Sequence, residues 1–175
     1  MDHLDNIFGK RNLLDLSKKV FNTVLNEDVF YEENEVNLNS EIFKAETINF
    51  VLADGLGTEN LKMSRSDFLN NSNSFSVNST FPSSTNVALS TINYVSKPVD
   101  TGILGYYLFD ENEHGLINAL NWNQENKSIL KDVDIKDNKT IWTILKSKGV
   151  TSNNIQPKDL IHSALSEYIY KDSHQ

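Results

Sequence analysis

The chemically suggestive residues of this chain sit at two turns, and the first is in the stretch Thr80–Thr91 (Thr-Phe-Pro-Ser-Ser-Thr-Asn-Val-Ala-Leu-Ser-Thr). Pro82 fixes its own φ and has no N–H to give a ladder, so the extended run Asn73–Thr80 is expected to end there. Ser83 or Ser84 then caps a helix whose apolar positions Val87, Ala88, Leu89 and Ile92 follow at helical spacing. Thr85 falls in the first turn, where free backbone N–H groups and the positive end of the helix dipole coincide. A hydroxyl there is placed to act as a nucleophile or to hold a phosphoryl oxygen. Taken alone, the pattern is first of all that of an ordinary helix start, since Ser and Thr are common at such caps.

The second turn precedes it. Thr47–Ala53 (Thr-Ile-Asn-Phe-Val-Leu-Ala) is short, apolar and β-rich, and it closes in Asp54-Gly55-Leu56-Gly57. A run of this length ended by a Gly-rich turn suits a buried parallel strand. Asp54 would stand at its carboxyl end, where open α/β sheets gather ligands. A carboxylate there has three common uses: a metal ligand, a helix N-cap or a ribose contact.

Three motifs in order carry a resemblance: Val51-Leu52-Ala53-Asp54-Gly55-Leu56-Gly57, then Thr80-Phe81-Pro82-Ser83-Ser84-Thr85, then Thr101-Gly102-Ile103-Leu104-Gly105-Tyr106. Together they resemble the start of the type I phosphodiesterase/nucleotide pyrophosphatase family of the alkaline phosphatase superfamily. The match covers most of Ile48–Trp122 and returns at Thr140-Ile141-Trp142 and Gly149-Val150.

The resemblance implies a two-metal hydrolase of phosphate esters or nucleotides, using two divalent ions, Zn²⁺ or Mn²⁺. Carried over position by position, Asp54 is a metal ligand, and Thr85 is both nucleophile and ligand of the same ion. The N–H of Asn86, on the same turn, is a candidate oxyanion donor. A divalent cation lowers a hydroxyl pKa and offsets phosphoryl charge, which makes the assignment physically coherent.

Two departures accompany it. Many relatives have His-Gly where this chain has Thr101-Gly102. The family's remaining Asp and His ligands lie far downstream, whereas the histidines here are His3, His114, His162 and His174, none paired at ligand spacing. The expectation is therefore the N-terminal portion of a larger enzyme, or a truncated product, with at most a partial metal site. The alternatives are a non-catalytic remnant or binding fragment of that fold, and a sister phosphatase or phosphomutase activity on the same scaffold.

The elements needed to position these turns read as α/β. The resemblance implies a partial αβα sandwich of the alkaline phosphatase-like type, a mostly parallel sheet flanked by helices and incomplete in this chain. Residues 1–45 form a helical and acidic leader packing on the core, and residues 46–175 form the N-terminal portion of the catalytic domain. Asn12–Leu25 is an amphipathic helix. Glu27–Glu35 is a solvated acidic connection, and Glu59–Leu69 a helix. Ser74–Thr80 is a strand, and Tyr106–Phe109 with Leu116–Ile117 forms a hairpin. Asn121–Asn138 is a surface loop, Thr140–Lys148 a helix stopped by Gly149, Val150–Ile155 a strand, and Pro157–Tyr168 a helix.

Composition bounds the partners. The 175 residues carry a formal charge of −8, which disfavours a nucleic-acid polymer or an anionic membrane surface. A small phosphate ester remains compatible, because bound metal ions invert local charge. With no cysteine there is no disulfide framework and no thiolate site. Met1–Lys10 lacks the pattern of a signal peptide, and no apolar run approaches membrane-spanning length, so a cytoplasmic location is expected. A truncated sheet would leave an unpaired edge, so self-association through it is expected.

Overall fold

The computed structural model describes residues 11–110, 114–119 and 139–174. Its first helix, α1 (Leu13–Leu25), begins where a local signal places it. The Asn12 side chain accepts from the Asp15 N–H at 3.0 Å, and the Asp15 carboxylate accepts from the Asn12 N–H at 3.2 Å. This reciprocal box satisfies two donors that a helix start leaves free. Asn26 closes the helix in the left-handed conformation.

The acidic run after α1 is largely exposed, as expected, but it is also tied to the helix. Asn22, buried on α1, accepts from the Phe30 N–H at 2.9 Å and donates to the Phe30 carbonyl at 2.8 Å. Its amide also reaches Glu32 at 3.0 Å, and Asn34 donates to the buried Asp15 at 3.0 Å. Buried amides and carboxylates must be hydrogen-bonded, and folding residues 27–35 back along α1 supplies the partners. A 3₁₀ turn, Ser40–Lys44, follows.

In place of one helix over Glu59–Leu69 there are two short ones, α2 (Thr58–Lys62) and α3 (Asp67–Asn71). Ser66 starts the second, its hydroxyl accepting from the Leu69 N–H at 3.4 Å. The central element is α4 (Thr85–Tyr94), which begins after Ser84 and ends at Val95 in the left-handed region. A single-turn helix, α5 (Pro98–Thr101), comes next, and then the antiparallel hairpin β1 (Tyr107–Asp110) and β2 (Gly115–Asn118). Leu108 pairs with Ile117, so these two face the core together. The expected loop Asn121–Asn138 lies outside the described residues.

Near the C-terminus, Thr140 caps α6 (Ile141–Ser147) by accepting from the Thr143 N–H at 3.3 Å, and Gly149 ends it at φ +74°. The expected helix Pro157–Tyr168 is instead a 3₁₀ turn, Lys158–Leu160, and a separate helix α7 (Ala164–Ile169). Ser163 divides them: its hydroxyl caps α7 by accepting from the Ser166 N–H at 3.1 Å.

The hairpin is the one sheet among the described residues. The expected strands Thr47–Ala53, Ser74–Thr80 and Val150–Ile155 have no ladder; parallel pairing is confined to single bridges, Asn12 with Asn78 and Asn153 with His174. β-propensity describes fitness for a half-buried pleated surface, and it produces a strand only where a neighbour exists to pair with. Among the described residues none pairs with 47–53, and Val51 is 82% exposed.

The core lies on both sides of α4. One cluster joins Val87 and Tyr94 to Ile103, Ile117, Ala164, Leu165 and Ile169. The other joins Ile92 and Val95 to Leu14, Phe21, Ile141 and Leu145. Between them Trp142 donates its indole N–H to Asn93 at 2.6 Å. Leu165→Ala, at a site 1% exposed, is expected to cost about 2–5 kcal/mol, read as a lower urea midpoint with an unchanged slope.

Burial pushes the Tyr94 hydroxyl up to about 12, with the neighbouring Tyr168 adding to the shift. The unfolded chain releases this proton near the ordinary tyrosine value of about 10, before the folded chain does. Stability is therefore expected to fall as pH rises from about 10 toward 12, and Tyr94→Phe should remove part of that fall in thermal melts.

Candidate active site

The approach to α4 is braced before the helix begins. Asn78 bonds the start of α1 from both sides: its N–H donates to the Arg11 carbonyl at 2.9 Å, and its carbonyl accepts from the Leu13 N–H at 2.9 Å. Pro82 follows Phe81 through a cis peptide bond. The Thr80 hydroxyl donates to the Pro82 carbonyl at 3.0 Å, and the Ser83 hydroxyl donates to Ser79 at 3.0 Å. Extended backbone thus reaches Ser84 and turns into the helix.

Ser84 is the residue before the first helical turn, but its side chain caps nothing. Its hydroxyl donates to the Asn86 amide oxygen at 2.9 Å. The Asn86 amide nitrogen in turn donates to the Gly105 carbonyl. Asn86 is fully buried, and these bonds tie the helix start to the chain entering the hairpin. The first-turn N–H groups of Thr85 and Asn86 have no acceptor within the helix, as at any helix start.

Thr85 is the first helical residue and is partly exposed. Its hydroxyl donates to Oδ2 of Asp54 at 3.0 Å. Asp54 sits in an exposed turn with Gly55, whose φ of +71° favours glycine. Gly57 then leads into α2. An open pocket of about 240 Å³ adjoins the pair, walled by Leu13, Leu52, Val77 and Ala88, with Asp54, Thr85 and Ser79 as its polar side.

The structure brings together two of the positions singled out by sequence, the Asp54 carboxylate and the Thr85 hydroxyl, while Asn86, the next residue of α4, is buried and does not line the pocket. The Asn86 side chain anchors the turn. The histidines do not join them. His114 and His162 are exposed, His174 is held through its backbone to Ser152 and Asn154, and His3 lies outside the described residues. Thr101, where many relatives carry His, is buried and donates to the Pro98 carbonyl at 2.9 Å.

No cluster of three or more His, Asp or Glu side chains able to hold a metal occurs among the described residues. The donors present are two oxygens 3.0 Å apart, one carboxylate and one hydroxyl. Such a pair fits one hard divalent cation whose other positions are filled by water and a phosphoryl group. It offers nothing for a second ion.

The pocket walls were not legible from the sequence. Leu13, from α1, stands opposite Ala88 because two helices cross, and no local pattern encodes that meeting. No family model matches the chain, and comparison with curated proteins and with solved structures finds no match.

Asn86→Ala is expected to destabilise the protein by about 1–3 kcal/mol, because the Gly105 carbonyl and the Ser84 hydroxyl both lose a buried partner. A chemical denaturation curve measures it. An unchanged midpoint would show that the anchor does not hold the turn.

Proposed function

We propose that the chain carries the nucleophile half of a metal-dependent phosphate ester hydrolase of the phosphodiesterase/nucleotide pyrophosphatase type. The single observation behind this reading is the 3.0 Å hydrogen bond from Thr85 to Asp54, made across thirty-one positions of sequence at the first turn of a ten-residue helix. A small phosphate ester or nucleotide is the substrate, and a cytoplasmic setting and an alkaline phosphatase-like αβα scaffold belong to the same proposal. No helix among the described residues is long and apolar enough to cross a membrane.

The roles follow from the geometry. Asp54 accepts the Thr85 hydrogen bond and so aims the hydroxyl oxygen's lone pairs away from the turn. The first-turn N–H of Asn86, at the positive end of α4, is a donor for charge that develops on a phosphoryl oxygen. Leu13, Leu52, Val77 and Ala88 give the pocket an apolar side. A divalent cation on the Asp54 and Thr85 oxygens would lower the hydroxyl pKa and offset phosphoryl charge. Thr85 would then attack phosphorus and expel the alcohol, and water would release the phosphoryl-threonine ester.

The test is nitrophenol release from the nitrophenyl ester of thymidine monophosphate, with Zn²⁺ or Mn²⁺ added. Metal-dependent turnover is expected in the native chain, and Thr85→Ala should lower it by at least about a thousandfold. Turnover indifferent to Thr85→Ala would overturn the mechanism. No turnover in either protein would favour a non-catalytic binding fragment.

Self-association belongs to the same proposal, since Phe50, Val51, Leu52, Phe68 and Phe75 are all uncovered. Gel filtration across a concentration series is expected to show species larger than the 175-residue monomer. A monomer at every concentration would count against it.

A further inference from the structure

Asp54 is followed by Gly55, and their placement has a chemical consequence independent of any catalytic role. Both lie in one exposed turn. Gly55 has no side chain, and its φ of +71° is one that residues with a side chain rarely adopt. The Gly55 carbonyl accepts from the Gly57 N–H at 3.1 Å, but the Gly55 N–H itself donates no hydrogen bond among the described residues. The Gly55 amide is therefore unrestrained in the peptide that follows Asp54.

Cγ of Asp54 is also polarised. The Thr85 hydroxyl donates to Oδ2 of Asp54, which draws electron density from Cγ and stabilises charge on the oxygen. The Gly55 nitrogen and the Asp54 carboxyl thus lie in one turn, and the Thr85 hydroxyl reaches that carboxyl from the start of α4.

We propose that Asp54–Gly55 is a site of spontaneous backbone isomerisation in the folded protein. The Gly55 nitrogen attacks Cγ of Asp54, and an N–Cγ bond forms as a Cγ–Oδ bond breaks. The departing oxygen takes one proton from solvent and leaves as hydroxide, and the Gly55 nitrogen gives up its own proton; together these make one water. Water then opens the five-membered imide at the Asp54 main-chain carbonyl. The main chain now runs through the former side chain, no mass is gained or lost, and the free carboxylate sits directly on Cα.

The isomer inserts one carbon into the backbone, lengthening it by about 1.5 Å, and withdraws the carboxylate by the same step. The Thr85 hydroxyl then loses its acceptor. The two-residue turn thereby acts as an ageing element that dismantles the Asp54–Thr85 pair without cleaving the chain.

Exposure alone does not create such a site, and the chain supplies its own comparators. Asp28, Asp67 and Asp159 are exposed too, but Val29, Phe68 and Leu160 follow them. A side chain at that position narrows the backbone freedom the attack requires.

The experiment incubates the full chain at 37 °C in neutral buffer with EDTA, so that no cation occupies the carboxylate. The folded fraction is isolated by gel filtration before digestion. Isoaspartate is then located by electron-based peptide fragmentation and by enzymatic methyl transfer to the free α-carboxylate. It is expected at position 54 at a rate roughly tenfold or more above positions 28, 67 and 159. Gly55→Ala should bring position 54 down to the level of the comparators. Equal rates at all four positions in the native chain, or an undiminished rate in Gly55→Ala, would overturn the proposal.

Discussion

The constraint on which the structure depends is that α4 is buried along both sides while carrying polar residues. Asn86, Ser90, Thr91 and Asn93 are all nearly inaccessible, and a buried polar group must find a partner or destabilise the fold. Ser90 bonds back to the Asn86 carbonyl at 2.8 Å, and Asn93 to the Leu89 carbonyl at 2.8 Å while accepting from Trp142. At the start of the helix, Asn86 reaches outward to Gly105. The first turn of α4 is therefore fixed from inside the protein, and Thr85, one residue earlier, is left facing the pocket on a rigid base. From that base its hydroxyl donates to Asp54 at 3.0 Å.

Much of the helical architecture was legible because its signals are local. Pro82 and Ser84 announce α4, Thr140 announces α6, Gly149 ends α6, and Asn12 with Asp15 forms the box that starts α1. Each acts within a few residues, through backbone groups that have no other partner. The hairpin stands where it was expected, but Thr47–Ala53, Ser74–Thr80 and Val150–Ile155 form no ladder among the described residues, for the opposite reason. Thr47–Ala53 has the composition of a buried strand, but composition supplies no neighbour, and without one the run lies uncovered. The tie between Asn22 and residues 30–32 was invisible because it uses the backbone of Phe30, which any residue would supply.

The candidate site stood between these cases. That Asp54 and Thr85 each end an extended run could be read directly; that they meet could be expected only from the order of three motifs taken together. Their 3.0 Å contact follows from how Asn78 is pinned to the start of α1, which fixes where the chain enters α4. Tertiary packing selected the pairing, and the short-range signals merely permitted it.

Because α4 is shared by two hydrophobic clusters, neither cluster can be lost without exposing one side of the helix. α1 and α6 lean on Ile92 and Val95; the hairpin and α7 lean on Val87 and Tyr94. Loss of either layer bares one side of the helix to water and removes the support of the other. Cutting the described chain between α4 and the hairpin would leave two pieces that each lack half of what the helix needs. Their recovery would then depend on finding one another again, as complementing fragments, rather than on either folding alone.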